Sequence, residues 1–267
     1  MSISEGKWAG RRVWVTGASS GIGEALAKAI LREGGTVVLS ARRVDKLEQV
    51  RAATQHPDRV AIVALDQSAP DDVGPAVQGA FAKFGGLDTI ILNGGISQRS
   101  LARETSLDVD RALMTVNYLA NVAITKAALP ALLEQPRPQI VIISSVVGRV
   151  GSPFRSGYAA SKHALHGFFD SLRAELPPTV TVTIVCPGFV KTNISVHSLT
   201  GDGSPLNQMD RAQARGMPAD VFAERALRRI LQRRREVVIG GTEGWAPLLQ
   251  RFVPGILARV VRKARVR

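Results

Sequence analysis

Short apolar runs alternate along the chain with longer segments in which apolar residues recur at helical spacing. The runs predict seven strands, at 12–16, 36–40, 59–65, 87–92, 139–144, 179–186 and 236–239. Strands that alternate with helices indicate a parallel sheet covered on both faces. We therefore expect a Rossmann-type α/β fold: one doubly wound, seven-stranded parallel sheet in a three-layer αβα arrangement, a single domain over residues 1–267.

The pattern predicts helices at 24–33, 107–133 and 158–176, with a kink at Pro130 in the longest. It lapses between 189 and 217 into a polar, turn-rich segment, which we interpret as a lid over the substrate. Residues 246–267 form a basic amphipathic tail, divided at Pro254, with paired apolar residues four apart and arginines off that stripe. Such a stripe either contacts a membrane surface or packs on the substrate loop or a second subunit.

Composition narrows the class of protein. The 45% hydrophobic and 21% charged content of the 267 residues is typical of a soluble globular chain. The single cysteine, Cys186, excludes an intramolecular disulfide and favours a reducing, cytoplasmic compartment, with the thiol buried in the core. We expect no signal peptide and no run as long as the ~18 apolar residues of a membrane span.

The net charge of +13 is concentrated near the end of the chain, where residues 225–267 hold twelve Lys/Arg against two acids. This excess favours anionic partners, namely a phosphate-bearing cofactor, an acidic carrier protein or lipid headgroups. A nucleic-acid role is not expected, since the arginines are not interleaved with aromatic residues. We expect no metal site, because His56, His163 and His166 show no ligand spacing, and we interpret His197 as a solvated loop residue.

A glycine-rich turn, 17–23, joins the first predicted strand to the first helix. Gly17, Gly21 and Gly23 would let the backbone turn tightly and approach a pyrophosphate at the helix N-terminus. Arg42 and Arg43 follow the second strand, where an NAD-binding chain would carry an acid. A guanidinium binds a 2′-phosphate that a carboxylate would repel, so the pair favours NADP over NAD.

Other predicted strands end in polar or small residues that would meet the cofactor. Asp66 is a candidate partner for the adenine amino group. The small residues of the Asn93-Gly94 turn would let the backbone pass close to the cofactor. Pro187-Gly188 ends the sixth predicted strand.

The segment 145–162 carries a candidate proton-transfer device. Tyr158 and Lys162 lie one helical turn apart, so the ammonium would lower the pKa of the phenol. Ser145 follows the fifth strand and could hydrogen-bond a substrate oxygen while Tyr158 exchanges a proton with it. The Tyr-Lys spacing alone is common on exposed helices, and Asn117, on an apolar helix, could equally be a core amide.

Together these elements resemble the short-chain dehydrogenase/reductase family over residues 11–245. The matching motifs are TGASSGIG at 16–23, Asn93-Gly94, Asn117, Ser145, YAASK at 158–162 and PGFVKT at 187–192. The chain has NGG at 93–95 where the family usually has NAG, a change expected to loosen that turn. The segments around the site look most like the branch of dehydrogenase/reductase member 7-type enzymes and hydroxysteroid-dehydrogenase relatives. That branch often carries an N-terminal membrane anchor, which we do not expect here.

The resemblance implies that Tyr158 is the general acid/base, that Lys162 lowers its pKa and binds the nicotinamide ribose, and that Asn117 holds a water in the proton relay. It also implies that Ser145, thirteen residues before Tyr158, orients the substrate carbonyl, with Ser144 as the alternative. The predicted cofactor-binding set is Gly17, Ser19, Ser20, Gly21, Ile22, Gly23, Arg42, Arg43, Asp66, Asn93, Gly94, Tyr158, Lys162, Pro187, Gly188, Val190 and Thr192.

These observations lead to three functional hypotheses. The first is an NADP(H)-dependent oxidoreductase that interconverts a ketone or aldehyde and an alcohol on a largely apolar substrate. The second is a 3-oxoacyl-carrier-protein reductase, whose acidic carrier would suit the basic C-terminal block. The third is a non-catalytic NADP(H)-binding or membrane-surface protein. We expect a homo-dimer or homo-tetramer, and the sequence leaves open the substrate and whether the tail contacts a membrane peripherally.

Overall fold

A computed structural model describes residues 6–263 and contains the predicted sheet. Its seven strands are β1 (Arg12–Thr16), β2 (Thr36–Ala41), β3 (Val60–Ala64), β4 (Thr89–Leu92), β5 (Gln139–Ile143), β6 (Thr181–Pro187) and β9 (Glu236–Ile239). They are all parallel and follow the order β3-β2-β1-β4-β5-β6-β9 across the sheet. The chain reverses its direction of travel across the sheet between β1 and β4, the place where ligands bind in such folds.

Helices cover both faces of the sheet. They are α1 (Gly21–Arg32), α2 (Val44–Ala52), α3 (Gly74–Phe81), α4 (Leu107–Met114), α5 (Ala120–Leu133), α6 (Ser156–Glu175), α7 (Arg211–Ala214), α8 (Ala219–Leu231), α9 (Ala246–Phe252) and α10 (Pro254–Lys263). Successive β1 residues face opposite cores: Val13 and Val15 join the cluster formed with α1, α2 and α8, and Trp14 joins the one formed with α3, α5 and α6. Because both faces are covered, the strands are mostly apolar, as their sequences indicated.

The helical stretch 107–133 contains an irregularity that the sequence pattern did not predict. It holds Pro130 inside α5, as expected, and a short π-helix, Thr115–Leu119, which contains Asn117, joins α4 to α5. By length and composition alone this stretch could cross a membrane. Here it packs Ile124, Ala128 and Leu132 against the sheet as a core element.

The predicted lid is more ordered than a loop. Its residues include α7 and a short parallel pair, β7 (Val190–Lys191) with β8 (Met217–Pro218). The tail forms α9 and α10, which divide beside Pro254 as predicted. Its last four residues, 264–267, lie outside the described residues.

Candidate active site

One cleft of about 990 Å³ opens at the carboxyl edge of the sheet. Its cofactor half, as we name it, is lined by the 17–22 turn, the ends of β2 and β4, and residues 187–192. Its substrate half is lined by residues within 95–97, 145–155 and 193–203 and by Arg99, together with parts of α4 and the tail. Tyr158 and Lys162 lie between the two halves, so the fold brings the sequence-predicted groups to one place.

Backbone geometry defines the glycine turn. Gly17 has φ +63°, and a Cβ there would lie 2.5 Å from Cα of Gly94, so only glycine lets the two segments pass this closely. Asn93 Nδ2 fixes the crossing by donating to the carbonyl oxygens of Thr16 (3.0 Å) and Gly17 (3.1 Å). Gly21 also has a positive φ, +62°. The turn thus leaves backbone, not side chain, facing the cleft.

The turn at Gly94, where the family usually has alanine, is not loosened as expected. Gln67 Oε1 occupies the space that a Cβ at Gly94 would enter, and Gly94 N donates to Thr16 Oγ1 at 3.2 Å. Gln67 is buried and also lines the cleft. It fills the position of the family's usual alanine methyl group, which sequence reasoning missed because the two residues are 27 positions apart.

Arg42 and Arg43 are exposed at the end of β2, and both line the cleft. Asp66 lies at the same edge and accepts hydrogen bonds from Ser68 N (2.9 Å) and Oγ (2.7 Å). Burial raises the pKa of Asp66, but the Ser68 hydrogen bonds and the charge of Arg42 outweigh this, so its net pKa is lowered. This edge therefore presents two guanidiniums and an ionised carboxylate.

Most remaining members of the predicted cofactor set also line the cleft, namely Ser19, Ser20, Ile22, Pro187, Gly188, Val190 and Thr192. Gly23 does not. It lies behind the turn, where a Cβ would meet Asn93 Nδ2 at 2.5 Å and overlap the carbonyl oxygen of Gly17. Its position allows close packing of α1 on the turn, so Gly23 supports the site without facing it.

Tyr158 and Lys162 leave the same face of α6. Tyr158 is 8% exposed, and Lys162 Nζ lies 5.8 Å from the centre of its ring. The ammonium donates to the carbonyl oxygen of Ile143, at the end of β5, at 3.0 Å. Ser145 follows that strand; its hydroxyl accepts from Val147 N (3.3 Å) and lies close enough to the Tyr158 phenol to favour its ionised form. The phenol, the hydroxyl and the ammonium therefore share one wall of the cleft.

The pKa of Tyr158 differs from the expectation. Burial raises it above the ordinary value, and this exceeds the opposing effects of Arg155, of the Ser145 hydroxyl and of Arg99. Burial also lowers the pKa of Lys162 to about 8. The expected net lowering of the Tyr158 pKa is not found, because burial outweighs the charges that favour the phenolate. Those charges belong to Arg155 and Arg99. The Tyr158 phenol therefore keeps its proton at neutral pH.

Asn117 is fully buried in the π-turn and has its hydrogen bonds satisfied. Its Oδ1 accepts from Ile96 N (2.8 Å), and its Nδ2 donates to Ile96 O (3.0 Å) and Ser161 Oγ (2.9 Å). A Cβ on Gly95 would lie 2.9 Å from Asn117 Oδ1 and 3.6 Å from Lys162 Nζ, so the amide adjoins the lysine behind the cleft wall. Its relay role stays a prediction.

The structure separates the two adjacent serines. Ser144 also borders the cleft, but it is buried and its Oγ lies 3.0 Å from His166 Nε2. His166 Nε2 is also 3.7 Å from Cys186 Sγ, next to Glu236, which pairs with Arg149. Burial raises the pKa of Cys186 well above its usual range, so the thiol stays protonated. The Ser144 hydroxyl is therefore engaged by His166, and Ser145, which adjoins the Tyr158 phenol, fits the site better.

Sequence reasoning missed the charged wall of the substrate half. The side chains of Arg99 and Arg155 line the cleft and share the buried carboxylate of Asp210. Gln98 positions this wall, because its Oε1 accepts from Gly157 N (2.9 Å) at the start of α6. These residues are isolated polar positions in three separate segments, so no local pattern could have identified them.

The tail lies beside the substrate half. Leu257 is buried against Val146 and Val150, and Ala246 and Val261 line the cleft. Other members of the apolar stripe are exposed, namely Leu248, Leu249, Phe252, Val253, Ile256 and Val260. The stripe therefore packs on its own domain through one residue in particular, and its contact with a membrane or a second subunit stays a prediction.

Comparisons with known proteins agree with this geometry. The model of the short chain dehydrogenase family matches residues 11–202. A "Dehydrogenase/reductase SDR family protein 7-like" protein of Anopheles gambiae is 40% identical over 262 residues, covering 95% of this chain and 83% of the relative. "Dehydrogenase/reductase SDR family member 7B" of Xenopus tropicalis is 40% identical over 237 residues, covering 86% and 77%.

Solved structures show the same likeness. An alcohol dehydrogenase from the archaeon Thermococcus sibiricus, complexed with 5-hydroxy-NADP, superposes with a TM-score of 0.74 at 26% identity, covering 87% of this chain and 97% of that one. The matched family model, the member 7-like relatives and the shared fold place the protein in a family of oxidoreductases. The chain belongs to the short-chain dehydrogenase family.

Proposed function

We propose that this protein is an NADP(H)-dependent oxidoreductase that interconverts a carbonyl compound and an alcohol, with Tyr158 as the general acid/base. The observation that carries the proposal is the convergence of Tyr158, Ser145 and Lys162 beside a backbone turn that only glycine can form. A sensor or scaffold would need the turn but not the hydroxyl, phenol and ammonium at its edge.

The cofactor half fits a dinucleotide. Gly17 and Gly94 approach so closely that no side chain intervenes, which leaves the N-terminus of α1 open to a pyrophosphate. Arg42 and Arg43 would hold the 2′-phosphate of NADP(H), because a phosphate accepts charge-assisted hydrogen bonds from guanidinium groups. Asn93, Lys162 and Thr192 would contact the nicotinamide end. When bound, NADP(H) supplies or accepts the hydride.

The chain's own residues manage the proton. The phenol of Tyr158 keeps its proton at neutral pH and so can donate it to a carbonyl oxygen as that oxygen gains negative charge. The Ser145 hydroxyl lies beside the phenol and orients the same oxygen. Arg155 and Arg99 stabilise the phenolate that remains, since their charges oppose the effect of burial on the Tyr158 pKa. Apolar residues such as Val109, Val147 and Leu199 line the space for the rest of the substrate.

A spectrophotometric screen tests this function. Purified protein is mixed with NADPH and a panel of ketones and aldehydes, and with NADP⁺ and the matching alcohols, while the absorbance of the reduced nicotinamide is followed. We expect cofactor-dependent turnover of at least one carbonyl compound, faster with NADPH than with NADH. Binding of NADPH without turnover of any compound in a broad panel would favour a binding protein.

A further inference from the structure

A buried group of three charges forms one wall of the substrate half. Asp210 Oδ2 lies 3.4 Å from Nε and from Nη2 of Arg99, and 3.3 Å from Nη2 of Arg155. The three side chains are 3–8% exposed. Asp210 Oδ1 is already used, because it accepts from Ala212 N (2.8 Å) at the start of α7. One carboxylate oxygen is therefore shared, at long distances, by two guanidiniums.

The charges in this group do not balance. Two cations face one carboxylate, and among residues 6–263 no other acidic side chain lies within 4 Å of either guanidinium. Burial and the charge of Arg99 lower the pKa of Arg155 to about 10, so its guanidinium stays charged at neutral pH. Arginine is not deprotonated in proteins, so Arg99 is charged as well. An uncompensated buried charge is costly unless a partner neutralises it. A purely structural ion pair would not need the second arginine.

Arg155 also has unused hydrogen-bonding capacity. Its Nε is buried with no acceptor among the described residues, and its guanidinium lies 5.5 Å from the ring centre of Phe189. Arg99 is more fully engaged, because its Nη1 donates to Ser97 Oγ (2.9 Å) and Gln98 O (2.7 Å). Arg155 is thus the less engaged of the two arginines, and its guanidinium, which borders the cleft, has hydrogen-bonding capacity left for an anion.

The position of Arg155 relates this charge to the reacting centre. It directly precedes α6 and lies three residues, about one helical turn, before Tyr158. The backbone N–H groups of Gly157 and Tyr158 are bound by Gln98 Oε1, so guanidinium groups rather than the helix end would bind an anion here. A substrate whose carbonyl reaches Tyr158 would therefore bring its neighbouring atoms to Arg155.

We propose that the substrate carries an anionic group, a carboxylate or a phosphate, which binds Arg155 and Arg99 while its carbonyl meets Tyr158. This inference rests on the proposed function and makes it more specific: a keto acid or keto phosphate with an apolar chain. A monoanion brings the charge of the group to zero, and its oxygens accept from donors that lack a partner. The apolar lining holds the chain, and the arginines determine which end enters first.

Binding and turnover test the proposal separately. Calorimetry on the NADPH-loaded protein compares octanoate, octyl phosphate and octanol, none of which NADPH reduces there. We expect the two anions to bind about 10- to 100-fold more tightly than octanol, the factor of one charge-assisted hydrogen bond. The tighter of the two anions identifies the carboxylate or the phosphate as the natural group. Equal affinities for all three ligands would overturn the proposal.

Arg155→Met should remove the preference for the anions, and Asp210→Asn should increase it, because the asparagine keeps an acceptor for the α7 N-terminus while removing the negative charge. Arg103→Met is the matched control, since Arg103 is exposed, and should bind all three ligands as the wild type does. An unchanged anion preference in Arg155→Met, with melting temperature preserved, would refute the assignment. If Arg155→Met does not fold, the increase expected for Asp210→Asn decides the question, and its absence counts against the proposal.

Kinetics provides the second arm. The kcat/KM of a keto acid is compared with that of its methyl ester. We expect the wild type to have the higher kcat/KM with the acid, and the acid-to-ester ratio to fall to about one in Arg155→Met. The ester reports any effect of the variant on Tyr158, so the ratio isolates the anion contact. Anion binding without reduction of any carbonyl compound would leave the subsite intact and contradict only the proposed function.

Discussion

The two halves of the cleft are built in different ways. The cofactor half is formed by backbone segments that pass within a few ångströms of each other, as at Gly17 and Gly94, and each segment is a continuous motif in the chain. The substrate half is formed by side chains such as Arg99, Arg155 and Asp210, which are brought together from segments more than 50 residues apart. A common ligand is thus bound by a local, backbone-defined surface, and specificity resides in long-range side-chain contacts.

Tyr158→Phe gives the largest expected effect, because Tyr158 lies between the two halves and its loss should affect turnover but not cofactor binding. The variant keeps the ring but removes the hydroxyl group that donates the proton. We expect kcat to fall by about 100-fold or more, the usual contribution of a general acid, and NADPH affinity to stay nearly unchanged. Stopped-flow turnover and NADPH fluorescence titration measure the two quantities.

Tyr118→Phe is the matched control for that variant. It changes the only other tyrosine, which packs edge-on against Phe168 in the core. Its kcat should stay close to that of the wild type. Comparable losses in both variants would show that the effect is one of packing and not of proton transfer.

Arg42→Ala should produce a smaller effect confined to the cofactor half. We expect NADPH affinity to fall about 10- to 100-fold, because a guanidinium–phosphate contact is lost, with little change for NADH. The preference for anionic substrate analogues should persist, since Arg42 lies at the opposite end of the cleft. Titration of both cofactors and of octanoate measures all three.

Arg51→Ala is the control for Arg42→Ala, because it removes another surface arginine, one on α2 that pairs with Glu48. Equal losses of NADPH and NADH affinity in Arg42→Ala would contradict the proposal that Arg42 binds the 2′-phosphate of NADP(H). A simultaneous loss of anion preference would contradict the division of the cleft into two independent halves.

The sheet and the cofactor half could be predicted because their signals are local. The strands are short apolar runs, and the confirmed fold class followed from their alternation with helices. The edges of elements shifted by only a few residues, as in β3, expected at 59–65 and found at Val60–Ala64. The lid was harder, because its order comes from contacts with distant segments, such as the pairing of β7 with β8.

The sequence could not provide the electrostatics of the site. The Tyr158–Lys162 spacing suggested a lowered phenol pKa, but burial opposes this and the charges that matter belong to Arg155 and Arg99. The sequence also showed no sign of the π-helix around Asn117, whose amide is held by Ile96 from another segment. Both outcomes depend on what the fold brings beside a residue.

The most direct test of the central claim is the fate of a hydride at this cleft. A carbonyl compound that the protein reduces is converted with NADPH carrying deuterium on the transferring carbon of the nicotinamide, and the alcohol is analysed by mass spectrometry. We expect the alcohol to carry the deuterium on its carbinol carbon and Tyr158→Phe to form little of it. Unlabelled alcohol formed at the normal rate would contradict hydride transfer from the cofactor, and alcohol formed at the full rate by the variant would contradict the role of Tyr158.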